Sequence, residues 1–132
     1  RLFGDGAFGR VLGCRDRISQ AVVAVKVAKN ARRQQMQSET EAQALKYLQS
    51  VDAAECQRWC SRLLDVFVHA DQGLCLVFEP LALTLQDLLR EGGQEGLFLA
   101  DIWTITRQLL ICMDFFDAAG VVHTDIKCSN VM

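Results

Sequence analysis

The stretch Val121–Asn130, VVHTDIKCSN, follows a long apolar segment and sets four polar side chains at fixed spacing: His123, Asp125, Lys127 and Asn130. Packing alone gives no reason to gather a carboxylate, an ammonium and a carboxamide there. Chemistry does. A carboxylate such as Asp125 can accept a proton from an attacking hydroxyl, and a carboxamide oxygen such as that of Asn130 suits a hard metal ion. The ammonium of Lys127 can neutralise a transferring phosphoryl group. His123 reads as structural, organising the loop from below. A plain polar surface loop remains the alternative for this stretch taken alone.

Working outward, the residues before it predict a helix over about 100–119. Its apolar positions Ile102, Ile105, Leu109, Cys112, Met113 and Phe116 recur at helical spacing. Gly120 suits a left-handed C-cap. LTLQDLLR, Leu83 to Arg90, reads as a short helix with Thr84 as N-cap, and EGGQEG as a loop. Towards the N-terminus the pattern changes. RVLGCRDR and AVVAVKVA read as strands around the turn-like DRISQ, and LLDVFVHA and GLCLVFE as strands joined by DQG. Between these pairs, residues 34–48 are strong helix formers.

Three further constellations lie in this strand-rich part. Gly4, Gly6 and Gly9 form a G-x-G-x-x-G in GDGAFGRV. A strand follows it, not a helix. That context fits a flap whose backbone amides approach phosphate oxygens, because no side chains stand in the way. A flexible hairpin fits the glycines too. Lys26 lies inside the apolar strand VVAVKVA. It is either an edge lysine reaching solvent or a cation held for an anionic ligand. Glu41, Leu45 and Leu48 share the apolar face of the helix over 34–48, while Glu39 points elsewhere. A carboxylate on a buried stripe needs a positive partner. Lys26 is the candidate, with a rim position beside a surface arginine as the alternative.

The bulk numbers narrow the class. The chain has 132 residues, 51% of them hydrophobic and 23% charged, with net charge −2. That is about one domain of ordinary globular composition. No basic stripe argues for direct nucleic-acid binding, and KNARRQQ reads as a solvated helix start. No run reaches the about 18 apolar residues of a membrane span, and no signal peptide is expected from the opening RLFGDG. The six cysteines read as reduced thiols of a nuclear or cytoplasmic protein. Cys56 and Cys60 could share a helix face, but no further metal ligands are in view.

The order of these elements (glycine turn, strand lysine, helix glutamate, then H-x-D-x-K-x-x-N) resembles the eukaryotic protein kinase family across essentially the whole chain. The resemblance implies an α+β, two-lobed fold. A small antiparallel sheet lobe with one helix would occupy residues 1–81, including the hinge. The start of a helical lobe would occupy residues 82–132, through the catalytic loop. It implies ATP and Mg2+ as cofactors and a protein substrate. Lys26 would pair with Glu41 and with the α- and β-phosphates. Asp125 would be the catalytic base with Lys127 beside it, and Asn130 a magnesium ligand. Phe3, Gly4, Gly6, Gly9, Val11 and Ala24 would belong to the ATP site. Phe78 would be the gatekeeper, and the backbones of Glu79 and Leu81 would meet the adenine edge.

Within the family, HTDIK looks like the LAMMER (CDC-like) and SR-protein kinases. GDGAFGRVLGCRD, AVKV and LCLVFE look like the former. That likeness implies a serine/threonine kinase, with Lys127 as the mark of that specificity and dual specificity as the alternative, and arginine–serine-rich splicing proteins as substrates. The sequence departs from the pattern at Thr124, where arginine is usual, and at Cys128, where proline is usual. A neutral Thr124 is not expected to read an activation-loop phosphate. The chain reads as a fragment of a longer kinase, since Arg1 falls inside the first strand and Met132 precedes any D-F-G. The fragment alone is expected to be inactive. The rival expectations are a pseudokinase or scaffold, and a small-molecule kinase of the aminoglycoside or choline type. Lys26, Asp125 and Asn130 speak against the first, and Lys127 and the complete glycine motif against the second.

Overall fold

The computed structural model describes residues 1–5, 9–29, 32–92 and 96–132. The chain divides into two compact units, Arg1–Pro80 and Leu81–Met132.

Among the described residues, the first unit holds five strands: β1 (Leu2–Asp5), β2 (Gly9–Arg15), β3 (Val22–Ala28), β4 (Leu63–His69) and β5 (Gly73–Phe78). They form one antiparallel sheet in the order β1-β2-β3-β5-β4. β3 is central and rich in valine and alanine, and Ala24, Val27 and Ala28 are buried there. Its register sets Val11 against Lys26, and Lys26 against Leu76. Helix α1 (Arg32–Val51) packs on this sheet. Ala42 meets Leu63 and the fully buried Leu76, and Leu45, Val66, Leu74 and Phe78 surround them. Burying a side chain such as Leu76 contributes roughly 1.5–3 kcal/mol.

Helix α1 runs further at both ends than the 34–48 expected. The flanking arginines and glutamines are themselves good helix formers. The expectation of a single helix in this part is corrected by α2 (Ala53–Trp59), which packs against α1. Its start is local chemistry. The Asp52 side chain accepts from the backbone N–H groups of Ala54 and Glu55, both at 3.0 Å. The D-x-x-E signature of Asp52 and Glu55 announces this start, but seven residues are too few to show a period.

In the second unit, α3 (Leu85–Glu91) is capped by Thr84 as expected. The Asp87 N–H donates to Thr84 Oγ1 at 3.0 Å, and the Thr84 N–H donates to Asp87 Oδ2 at 3.3 Å. The Thr84 hydroxyl also donates to that carboxylate at 2.6 Å and holds the Asp87 pKa below its ordinary value. Thr84→Ala is expected to cost about 1 kcal/mol of helix stability. Faster amide exchange across residues 85–91 would show it, and unchanged exchange would contradict it.

Helix α4 (Leu99–Ala118) carries the long apolar stripe. Cys112, Phe116 and the C-cap Ala119 are buried, whereas Ile102 is 46% exposed, so the buried stripe starts later than its spacing suggests. Gly120 takes a left-handed φ of 68°. The Val121 N–H donates to Phe116 O at 2.8 Å and the Gly120 N–H to Asp117 O at 2.9 Å. This is a Schellman termination, and it sends the chain sharply out of the helix at Val121. The loop then runs to a short 3-10 turn over Cys128–Asn130. The Leu85 N–H donates to Val131 O at 2.7 Å and ties the end of that turn to the start of α3.

Candidate active site

Two clusters of candidate functional side chains form, one in each unit. In the first unit, Lys26 Nζ donates to Glu41 Oε1 at 2.8 Å and to Glu41 Oε2 at 2.5 Å. The lysine side chain is 21% exposed and the glutamate 36%, so the pair is shielded from solvent but still reachable. Strand and helix geometry place it. Period two turns Lys26 to the same face as Ala24, and the helical period puts Glu41 beside the stripe of buried Ala42 and Leu48 and half-buried Leu45. Glu39 is exposed on the other side.

The glycine positions differ in what they accommodate. Gly6 lies outside the described residues. A Cβ on Gly4 would meet nothing within 4 Å. A Cβ on Gly9 would lie 2.4 Å from the carbonyl oxygen of Val27, so only glycine lets β2 approach β3 this closely. Val11 is half-buried opposite Lys26, and Ala24 is buried opposite Phe78. Phe78 packs against the cluster of Ala42, Leu63 and Leu76. The Glu79 N–H donates to Arg62 O at 3.3 Å, and its side chain accepts from the Arg62 N–H at 3.0 Å. Among the described residues, the Glu79 carbonyl and both backbone groups of Leu81 have no hydrogen-bond partner.

In the second unit, Asp125, Lys127 and Asn130 come together. Lys127 Nζ lies 2.8 Å from Asp125 Oδ2. Asn130 Nδ2 donates to the same oxygen at 3.0 Å and to the Asp125 backbone oxygen at 2.9 Å. The hydrogen bond from Lys127 is the main cause holding the Asp125 carboxyl below its ordinary value of 3.8, and Asn130 adds to it. One carboxylate oxygen, Oδ1, accepts no bond among the described residues and can meet an incoming hydroxyl. Asn130 spends its amide N–H groups on Asp125, which leaves its carbonyl oxygen for a cation.

His123 stacks on Phe116, with ring centroids 6.0 Å apart and planes 18° from parallel. Its Nδ1 accepts from the Asp125 N–H at 3.2 Å. The ring thus bridges the end of α4 and the loop. Between them Thr124 has a φ of 65°. A β-branched residue in the left-handed region costs about 1–3 kcal/mol, and such strain persists only where neighbours hold it. Here the His123 and Asn130 bonds to Asp125 do so. The spacing of the four polar residues does not reveal this conformation.

A family profile described as "Protein kinase domain" matches residues 1–132. The chain belongs to the protein kinase family. It is 36% identical to serine/threonine-protein kinase ppk15 of Schizosaccharomyces pombe, over 98% of this chain and 24% of that protein. It is 35% identical to dual specificity protein kinase YAK1 of Saccharomyces cerevisiae, over 99% of this chain and 16% of that protein. Human dual specificity protein kinase CLK1 matches at 33% identity, over 98% of this chain and 26% of that protein. The likeness to the CDC-like kinases stands, and it is shared with these other relatives. The chain spans about a quarter or less of the length of the relatives it matches.

Membership in this family implies ATP use, and the residues present fit Mg2+ as a phosphate-borne ion. Among the described residues no group of three or more histidine, cysteine or carboxylate side chains could hold a metal. Magnesium commonly keeps water and phosphate oxygens as ligands and takes few from protein. The carbonyl oxygen of Asn130, which accepts no bond among the described residues, would be one such ligand when the ion is bound. Among the described residues, no helix is long and apolar enough to cross a membrane.

Proposed function

We propose that the protein carrying this chain is an active kinase that transfers the γ-phosphoryl group of ATP to serine or threonine hydroxyls of proteins. The observation that carries this reading is the Asp125 cluster. It sets a carboxylate kept ionised, an ammonium and a carboxamide in one loop. Asp125 Oδ1 accepts the proton of the attacking hydroxyl as its oxygen bonds to the γ-phosphorus, and the bond from that phosphorus to the oxygen bridging to the β-phosphate breaks, so ADP leaves with the electron pair. Lys127 stands next to that oxygen and offsets the charge on the transferring group. Asn130 holds Asp125 in place by two bonds and offers its own oxygen to Mg2+, which screens the phosphate charge when bound. Lys26, fixed by Glu41, anchors the non-transferred phosphates. Little covalent work falls to the protein in phosphoryl transfer; positioning and charge dominate.

The substrates we propose are arginine–serine-rich proteins, and the location nuclear or cytoplasmic. Support comes from the HTDIK loop and from the likeness to CLK1. A scaffold that only binds nucleotide has less support, because such a role does not need an ionised base flanked by two donors.

The test is the acid limb of the rate. Lys127 favours the charged carboxylate, so it lowers the Asp125 pKa. Lys127→Met removes that support, and the pKa must rise. In the wild type the loss of kcat due to Asp125 is expected below its ordinary value of 3.8. In Lys127→Met the loss begins at higher pH, on top of a lower plateau. A 13C titration of the Asp125 carboxyl reads the same shift directly. An unmoved acid limb and carboxyl pKa would contradict the role of the pair. Glu41→Gln is expected to lower kcat/KM about tenfold or more, in the range of one lost charge-assisted contact. Glu39→Gln should stay within about twofold. The reverse order would put the wrong helix face inward.

A further inference from the structure

Helix α2 and its C-cap carry two cysteines four residues apart, Cys56 and Cys60. Cys56 is 2% exposed, and Cys60 is half-buried. The Cys60 N–H donates to Cys56 O at 2.9 Å, so both lie on one side of the helix end. Their side chains meet as well, because the Cys60 thiol hydrogen-bonds to Cys56. Burial pushes the Cys56 thiol above its ordinary value of 9.0, and the bond from Cys60 works against that. Burial explains a small apolar side chain at position 56. It does not explain a second thiol beside it at a half-buried cap. Among the described residues, no group of three or more histidine, cysteine or carboxylate side chains includes the pair, so it is not part of a metal cluster. Two thiols in contact without a metal have one characteristic reaction, oxidation to a disulfide.

We propose that Cys56 and Cys60 form a reversible disulfide when the protein meets hydrogen peroxide, and that this modification loosens the Lys26–Glu41 pair. The bond forms in two steps. The Cys60 thiolate, the more accessible of the two, attacks one peroxide oxygen. The O–O bond breaks, Cys60 becomes a sulfenic acid, and the departing hydroxide takes up the proton that Cys60 gave. The Cys56 sulfur then attacks the Cys60 sulfur. The S–S bond forms, the S–O bond breaks, and the second hydroxide leaves with the Cys56 proton as water. Two thiols and one peroxide thus become one disulfide and two waters, with two electrons passing from sulfur to oxygen.

The bond cannot form without movement. Cβ atoms four apart on a helix lie about 5–6 Å from each other, and a disulfide needs about 3.5–4.5 Å. Cys60 is the end that gives, because it already has extended angles, φ −118° and ψ 150°, past the last helical residue. Three residues on, Leu63 packs with Ala42 and Leu76 in the core. Ala42 is the neighbour of Glu41 on α1. A pull of about 1 Å at Cys60 therefore reaches the helix that aims Glu41 at Lys26. Strain also makes the bond easy to reduce with thiols, which suits a transient disulfide in the nuclear or cytoplasmic location proposed above. The effect on activity rests on the kinase reading; the bond itself does not.

The experiment treats the whole protein with hydrogen peroxide, alkylates the remaining thiols and digests with trypsin. Cleavage after Arg58 separates Cys56, in peptide 47–58, from Cys60, in peptide 59–62. The two peptides are expected joined, released by dithiothreitol, and unjoined in Cys56→Ala and Cys60→Ser. Oxidation is expected to lower kcat/KM for ATP about fivefold or more, the scale of a coupling between two sites. Dithiothreitol restores it, and peroxide leaves both variants unchanged. Thermal unfolding checks that the reduced variants are folded, and Cys60→Ser at the half-buried cap serves alone where Cys56→Ala is not. Both variants keep the exposed Cys128, so an equal loss in them would trace the effect to another thiol and overturn the switch. Recovery of the two peptides only unjoined would overturn the proposal outright. Dissociation constants for Mg-ATP are measured on the same samples. Joined peptides with weakened Mg-ATP binding, in a protein that transfers no phosphate, would support the switch while contradicting the kinase reading. Joined peptides with binding and kcat/KM unchanged would contradict the link to Lys26.

Discussion

Asp125→Asn in the whole protein is expected to lower kcat by about 10²–10⁴-fold, the usual contribution of a positioned general base. The two side chains have nearly the same shape. Asparagine can still receive the Lys127 and Asn130 donors through its oxygen, so the loop keeps its path. It cannot take a proton from a hydroxyl. The KM for ATP should change little, because Asp125 acts on the attacking group. Steady-state kinetics with a serine-containing protein substrate reads both parameters. A kcat within tenfold of wild type would show that proton acceptance at this carboxylate is not what the loop provides. A large rise in KM with kcat intact would point to substrate binding instead.

Lys26→Met is expected to reduce kcat/KM by about 10²–10³-fold, the scale of one lost preorganised electrostatic contact. Methionine keeps the apolar stem in β3, so the ladder with Val11 and Leu76 persists. What disappears is the cation at 2.5 and 2.8 Å from the Glu41 carboxylate. Glu41 is then left half-buried without its partner, at a cost of roughly 1–3 kcal/mol. The exposure of that carboxylate puts the value at the low end. Activity loss with near-normal unfolding separates a functional from a structural lysine. Full activity in a folded Lys26→Met protein would remove Lys26 from the mechanism.

Much of this arrangement is legible in the sequence because it follows from periods. A strand of period two fixes the face of Lys26, and a helix of period 3.6 fixes that of Glu41, so their meeting follows from two local rules. The same holds for Thr84 and Gly120, whose roles are set by neighbours within a few residues. What escapes is set by pairing or by short range. Helix α2 is too brief for a period to emerge, although Asp52 and Glu55 mark its start. The bulge at Phe3 depends on where β1 meets β2, which only the assembled ladder decides. Thr124 is the sharpest case. Its branched side chain disfavours the left-handed region, and contacts from His123 and Asn130 to its neighbour help hold it there.

The chemistry of the loop was legible because carboxylate, ammonium and carboxamide at this spacing have few other uses. Their geometry adds what spacing could not. Both donors converge on Asp125 Oδ2, and Oδ1 accepts no bond among the described residues.

The most direct measurement is phosphate transfer by the wild-type whole protein. It is incubated with Mg-ATP and an arginine–serine-rich protein, and mass spectrometry follows the substrate over time. The account predicts phosphoserine or phosphothreonine accumulating in proportion to enzyme, and its disappearance when Mg2+ is chelated. A folded protein that binds Mg-ATP yet leaves every hydroxyl unmodified, on this and on unrelated protein substrates, would contradict it.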